Sequence, residues 1–329
     1  MDGRGKHAMN AADRAIAEIE ALSGEDIQQR NIGPLAAFTR GNLARAAASI
    51  AGHPAPSIAI ITGFFLVRGE PPNCETDGPP GAAMLAAGFA AAGIPSRIAT
   101  DQVNARVVRA TLAAADRESR IPLDIVAMRT AKGDGGKPLA EIEALWHEMR
   151  PPITHVIAIE RCGPSRDGSP RDARGVDIAA CNAPLEILFA AGAWATIGIG
   201  DLGNEIGMGS LPCELVARSV PRGEELWCRV ACDYPIVGGV SNLAGAALLG
   251  ATALLRRQAA GAMLAAMRPD FARRLLEAAV RDGGAVASQG PGTIPRPHLY
   301  VDGQSWPVLE RIHRRIHDLC CDALITETP

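Results

Sequence analysis

The chain has little of what marks most alternative classes. Only two tyrosines and 4% aromatic residues occur in 329, so aliphatic side chains must fill most of the core. Neither sign of charge dominates: the formal net charge is −3, which leaves no footprint for nucleic acid or an anionic membrane surface. No uncharged apolar run approaches the roughly 20 residues of a spanning helix. Met1–Asn10 is polar and lacks the apolar segment of a secretory signal. The eight cysteines form no C-x-x-C or C-x-x-H pair. That removes the common zinc and redox motifs and predicts reduced, buried thiols. There is no G-x-S-x-G elbow, no G-x-x-x-x-G-K-[ST] loop, no internal repeat and no low-complexity tract. These absences point to a reducing, cytoplasmic setting and a small-molecule partner, with no nucleic acid and no membrane. A homo-oligomer is compatible with all of them.

What is there is a chain 47% hydrophobic and rich in alanine and glycine, which suits closely packed helices. Residues 1–9 read as a disordered tail and 10–329 as one domain. Asn10–Leu22 and Leu35–Ala51 have helical spacing. Apolar strands are predicted at Ser57–Thr62, Arg97–Thr100, Leu123–Met128, Thr154–Ile159, Ala195–Ile199 and Leu226–Ala231. Helices alternate with them at Pro80–Ala92, Val103–Ala115, Pro138–Met149, Ala183–Ala191, Leu211–Arg218 and Ser241–Gln258. Two more, Asp270–Val280 and Val308–Leu324, flank the Gly/Pro-rich stretch Gly283–Gly303. Near-continuous apolar strands alternating with helices imply a sheet buried on both faces. The expected fold is α/β: a mostly parallel sheet of about six strands, helices on both faces and extra helices at both termini.

Function should sit at the strand ends, where open α/β sheets place their ligands. Glu75, Thr76 and Asp77 stand between proline clusters just before a helix. A helix start welcomes an anion, although Thr76 or Asp77 could serve only as its cap. Glu160 and Arg161 close a strand, and Arg166, Arg171 and Arg174 follow in a long loop suited to carboxylate binding. Gly200–Ser210 sets Asp201, Asn204 and Glu205 among four glycines. Gly198-Ile-Gly-Asp-Leu-Gly203 matches G-x-G-x-x-G, but the glycines that follow disfavour the helix a dinucleotide site requires. Ser241 or Asn242 should cap the long helix, while Gly238 and Gly239 free backbone amides for a ligand. Arg129–Lys137 reads as a surface turn, and Asp302 lies in another turn. His313 and His317, four apart among arginines, read as a solvated basic face.

Several of these stretches, in this order, carry a family resemblance. They are Thr62-Gly-Phe, Glu75-Thr-Asp-Gly-Pro-Pro-Gly81, Ile159-Glu-Arg161, Arg174-Gly-x-Asp177, Gly200-Asp-x-Gly-Asn-Glu-Ile-Gly-Met-Gly209 and Gly238-Gly-Val-Ser-Asn242. Over about residues 30–320 the chain resembles the C-terminal domain of D-glutamate cyclase, also found as a stand-alone bacterial domain. Leu202 departs from the glycine expected in the Asp-Gly-Gly-Asn-Glu form, and Cys162–Ala173 lacks the expected Tyr/Asn/Met character. The resemblance implies interconversion of D-glutamate and 5-oxo-D-proline plus water. That chemistry needs a base, an acid and an oxyanion stabiliser. Under it Glu205 or Asp201 acts as base or metal ligand, with Glu75, Asp77 and Glu160 as further catalytic carboxyls. Arg161 and Arg174 would hold the substrate carboxylates; Thr76, Asn204, Ser241 and Asn242 would orient it. No cofactor is demanded, although the carboxylates could bind Mg²⁺ or Mn²⁺ through oxygen. The rival expectations are a non-catalytic small-carboxylate-binding domain and a nucleotide-dependent oxidoreductase resting on Gly198–Gly203.

Overall fold

The computed structural model describes residues 10–116, 120–128, 136–289, 292–294 and 297–326. The expected tail, residues 1–9, and most of the Arg129–Lys137 turn lie outside them. Six strands form one parallel sheet: β1 Ile58–Thr62, β2 Ser96–Asp101, β3 Leu123–Val126, β4 His155–Ile159, β5 Ala195–Gly200 and β6 Tyr234–Val237. Their order is β3-β2-β1-β4-β5-β6. The order reverses direction between β1 and β4, and the crevice at such a switch point is where doubly wound sheets bind ligands. Five of the six strands lie where the hydrophobic runs predict them.

The sixth does not. Leu226 ends a short helix, and Cys228–Ala231 runs along the Gly203–Gly209 loop: Gly207 and Gly209 donate to the Val230 carbonyl and Cys228 donates to that of Gly203. The place beside β5 goes to Tyr234–Val237. Pro235 weakens that run as a strand signal, but a proline is tolerated on the sheet edge.

The helices are α1 Ala11–Ser23, α2 Gly33–Thr39, α3 Asn42–Gly52, α4 Pro79–Ala91, α5 Ala105–Ala115, α6 Leu139–Glu148, α7 Glu186–Ala190, α8 Cys213–Ser219, α9 Gly223–Leu226, α10 Ser241–Leu255, α11 Ala260–Ala266, α12 Pro269–Ala278 and α13 Trp306–Thr326. The single helix expected over Leu35–Ala51 is two, broken where Gly41 turns left-handed at φ 89°. Alternation along the strands assigns the faces. Ile58 and Ile60 point into a large core with α4 and α10, whereas Ala59 and Ile61 face Ile142, Trp146, Leu188 and Phe189 of α6 and α7. Helix α10 is buried almost all round, as its unbroken run of small and aliphatic residues requires. Among the described residues, no helix is long and apolar enough to cross a membrane. All eight cysteines are free, but only four are buried.

Two expectations about side chains change. His313 is buried on α13 and its Nε2 donates to the Met267 carbonyl at 2.7 Å; burial pushes its pKa down to about 4. It is a packed core histidine, not part of a solvated face. Gly238 and Gly239 do not offer their amides to a ligand, since Gly238 donates to the Gly200 carbonyl and Gly239 to that of Ser23. A Cβ at Gly239 would lie 1.8 Å from the Glu25 carbonyl oxygen. Only glycine lets residues 23–25 pass this close. Gly239→Ala should therefore lose about 1–3 kcal/mol of stability, measured by urea unfolding; an unchanged midpoint would show that the contact gives way freely.

Candidate active site

The register of β1, β4 and β5 ends all three strands at one level: Thr62 pairs with Ile159, and Ile159 with Ile199. Glu160 and Asp201 follow β4 and β5 immediately. Glu75 arrives on the loop after β1, its amide bonded to the Phe64 carbonyl at 2.8 Å. Asp302 comes from the turn between Tyr300–Val301 and Gln304–Ser305. Glu75, Glu160, Asp201 and Asp302 are only 5%, 5%, 3% and 7% exposed. They line a cleft of about 250 Å³. Phe64, Leu66, Val67 and Leu202 give it an apolar wall, and Arg30, Arg68 and Arg174 are its cations. Glu160 and Asp302 both sit in the left-handed region, at φ 45° and 48°. Side chains other than glycine adopt it at a cost, and such strain concentrates at functional sites.

Packing like charges out of water shifts their protonation. Burial pushes Glu75 well above the ordinary carboxyl range, with Asp302 and Asp77 adding to it. Burial does the same to Glu160, with Asp201 and Glu205 adding. Asp201 is also raised by burial, against the pull of Arg30. Asp302 goes the other way. Burial would raise it, but Arg30 and hydrogen bonds from Asp201, Ser288 and Gln28 outweigh that and hold it low. The floor thus pairs carboxyls inclined to hold their protons with one inclined to give its proton up.

The remaining predicted residues form the frame around this floor. Asp77 lies under it and accepts from the amides of Gly78, Ser241 and Asn242 at 3.0, 2.7 and 2.8 Å. Burial, then Asp302, push its pKa up to about 8 while those amides pull it down. Asn242 answers from α10, its Oδ1 accepting from Gly78 and Gly81 at 3.1 and 2.7 Å and its Nδ2 donating to the Thr76 carbonyl at 3.0 Å. Ser241 does not cap α10 as expected; its Oγ donates to Glu160 Oε2 at 2.6 Å. Thr76 is buried beneath the cleft, its Oγ1 without a hydrogen-bond partner. Asn204 lines the cleft and donates to the Arg171 carbonyl at 2.8 Å. Arg174 lines it too, on a turn that the Asp172 carboxylate closes.

Arg161 does not reach the cleft. Its guanidinium is fully buried, 2.7 Å from Asp101 and donating to the carbonyls of Gly63 and Ala183. Glu205 is turned away as well. Its carboxylate accepts from the amides of Asp201, Leu202 and Gly203 at 2.9, 2.8 and 2.7 Å, and it leaves the proposed metal pair with Asp201. Gly200 makes room for it, because a Cβ there would lie 2.6 Å from Glu205 Cδ. These amides are the ones a pyrophosphate would need. Gly198 and Gly200 lie inside β5, and the next helix starts only at Cys213. The dinucleotide fingerprint therefore has neither free amides nor a helix start, and the oxidoreductase expectation falls.

The family model described as D-glutamate cyclase-like, C-terminal, matches residues 19–316. The chain belongs to this family. Human mitochondrial D-glutamate cyclase is 31% identical over 252 residues, which cover 72% of this chain and 38% of the human protein. The chain thus spans well under two thirds of that relative. Within this cyclase-like domain Leu202, the departure noted in the sequence, is 8% exposed and packs with Met208, Leu211 and Val216 while lining the cleft. Sequence reasoning missed Gln28, Arg30 and Ser288 at the site and treated Asp302 as a simple turn residue. Gln28 and Arg30 lie in a short polar link between two helices, which carries no chemical signature.

Two outcomes follow from this geometry. Glu205→Gln replaces one accepting oxygen by an amide that faces a donor, so it should cost about 2 kcal/mol or more in a thermal melt. A melt like that of the parent chain would remove Glu205 from the frame. The raised carboxyls also set a pH slope. A group whose folded pKa exceeds its unfolded value, about 4 for these side chains, stabilises below that value and loses the contribution as pH rises through the folded pKa. With Asp77 reaching about 8, stability should fall from about pH 5 to about pH 8, and Glu160→Gln should flatten the slope. Calorimetric melts across that range decide it, and a stability that rises instead would mean the cluster ionises without penalty.

Proposed function

We propose that the chain is a hydro-lyase of the D-glutamate cyclase type, interconverting D-glutamate and 5-oxo-D-proline plus water. What supports it is one juxtaposition within a D-glutamate cyclase-like chain: raised Glu75, Glu160 and Asp201 beside lowered Asp302 and the Arg30 cation. Closing the lactam moves two protons from the ammonium nitrogen to the departing oxygen, which leaves as water. One group must take protons at the nitrogen and another must give them at the oxygen. Asp302, ionised, would accept the first proton from the nitrogen; Glu160 and Glu75, inclined to stay neutral, would each give one to the oxygen, and the second amine proton would return to the protein glutamate carboxylate so formed. Such divergence of neighbouring carboxyls is how acid and base roles separate at one pH. The reverse reaction uses the same groups in exchanged roles.

A divalent cation at the same carboxyls is the alternative form of the proposal: a ligand carboxyl must be ionised, so with the ion bound Glu160 would act as a ligand and proton donation would fall to Glu75. One oxygen each of Asp77, Glu160 and Asp201 can be chosen within 4.8 Å of one another. Hard cations such as Mg²⁺ or Mn²⁺ bind such oxygens. Asp77 keeps lone pairs beyond its three amide bonds, so the set fits. Bound there, the ion would mask carboxylate charge as a Lewis acid.

Chromatography of 5-oxoproline formed from D- and L-glutamate, and of glutamate formed from 5-oxoproline, with and without Mn²⁺, tests this reading. Turnover is expected with the D-enantiomers, and Glu160→Gln should lower kcat by about 100-fold or more. Binding of 5-oxo-D-proline without turnover would make the domain a small-carboxylate binder. Absence of both turnover and calorimetric binding would overturn the proposal.

A further inference from the structure

The nine residues between α1 and α2 do more than connect them. Residues 23–32 cross the carboxyl edge of the sheet and are tied at three points to the loop after β6 and to the end of α8: Gly239 donates to the Ser23 carbonyl at 2.8 Å, Gln28 Nε2 to the Gly239 carbonyl at 2.6 Å, and Asn31 Nδ2 to the Ser219 carbonyl at 2.9 Å. The Asp26 carboxylate accepts from the amides of Arg30 and Ile32 at 2.8 and 3.2 Å. Gln29 and Asn31 are left-handed at φ 56° and 62°, one on each side of Arg30. Two strained residues around one arginine exceed what a link between helices needs.

This conformation aims Gln28 and Arg30 at the acidic floor. Gln28 Nε2 is 3.1 Å from Asp201 Oδ2 and 3.3 Å from Asp302 Oδ2. Arg30 Nη1 is 3.0 Å from Asp201 Oδ2, and its Nη2 is 3.8 Å from Asp302 Oδ1. The Arg30 side chain remains 28% exposed and lines the cleft. A guanidinium carries five N–H donors, so these two contacts leave donors for a ligand. Ring closure brings the amine and the reacting carboxyl of one substrate to within about 3–3.5 Å before bonding. The cation that binds the reacting carboxyl must therefore border the base that serves the amine. Arg30 meets that condition by touching both Asp201 and Asp302.

Resting on the cyclase reading, we propose that Arg30 is a catalytic residue: its guanidinium, braced by Asp201, binds the substrate carboxyl that becomes the lactam carbonyl. Residues 23–32 are then a wall of the active site. Gln28 fixes the two aspartates on which Arg30 rests. In the hydrolytic direction the same donors face the oxyanion formed when water adds to the lactam carbonyl.

Arg30→Ala and Arg30→Lys test this in the full chain. Arg30→Ala should lower kcat by about 100-fold or more, and free guanidinium at millimolar concentration should restore part of that turnover. Guanidinium should not restore Glu160→Gln. Rescue separates contact with substrate from a merely structural role. Circular dichroism checks folding; if Arg30→Ala does not fold, Arg30→Lys carries the test and should lose mainly kcat, not KM. A wild type that turns over, with Arg30→Ala within about threefold of it, overturns the role of Arg30 and leaves the cyclase reading standing. If the wild type only binds 5-oxo-D-proline, unchanged affinity in Arg30→Ala overturns it. If the wild type neither turns over nor binds, both readings fall together.

Discussion

Two helix starts cap each other, and the site depends on that exchange. Asp77 stands before α4 but accepts the first amides of α10; Asn242 stands in α10 but accepts the first amides of α4. Each helix start carries unpaired donors and a positive dipole end. Each therefore supplies what the other's loop needs. The pairing locks the Glu75–Gly78 loop against Glu160 through Ser241, at the point where strand order reverses. Without it, a loop carrying two carboxyls would not stay beside two others out of water.

The cost of that proximity is visible in the pKa directions. Burial and mutual repulsion keep Glu75, Glu160 and Asp201 inclined to hold protons, while Asp302 is drawn down by Arg30 and three hydrogen bonds. Backbone strain marks the same place, since left-handed residues other than glycine occur at Glu160 and Asp302 and on both sides of Arg30. Strain of this kind persists only where surrounding contacts over-determine it. Here the contacts are the strand register, the reciprocal caps and the Asp26 turn.

Much of this was legible in the residues. Glu75, Glu160, Asp201, Asn204 and Arg174 were singled out by type and position at strand ends, and all five line the cleft. Arg161 and Glu205 came from the same stretches yet face inward, to Asp101 and to three backbone amides. A motif identifies a loop, but the turn decides which of its side chains looks into the cleft. Arg161 directly follows Glu160, whose left-handed backbone separates the directions of the two. Gln28, Arg30 and Ser288 had no local signal, because their meaning lies only in where residues far along the chain bring Asp201 and Asp302.

By itself the sequence determined the alternation of apolar strands and helices, the parallel sheet, and the loops that gather at its carboxyl edge. These follow from periodicity and from glycine and proline punctuation, which act over a few residues. The tertiary structure alone decided which acids share a floor and which serve as frame. It also decided that Tyr234–Val237 takes the sheet edge in place of Leu226–Ala231, and that the link after α1 brings an arginine to the acids. Those outcomes depend on contacts between residues up to 274 positions apart, such as Gln28 and Asp302. Burial, repulsion and hydrogen bonding between such groups exist only once the chain has closed around them.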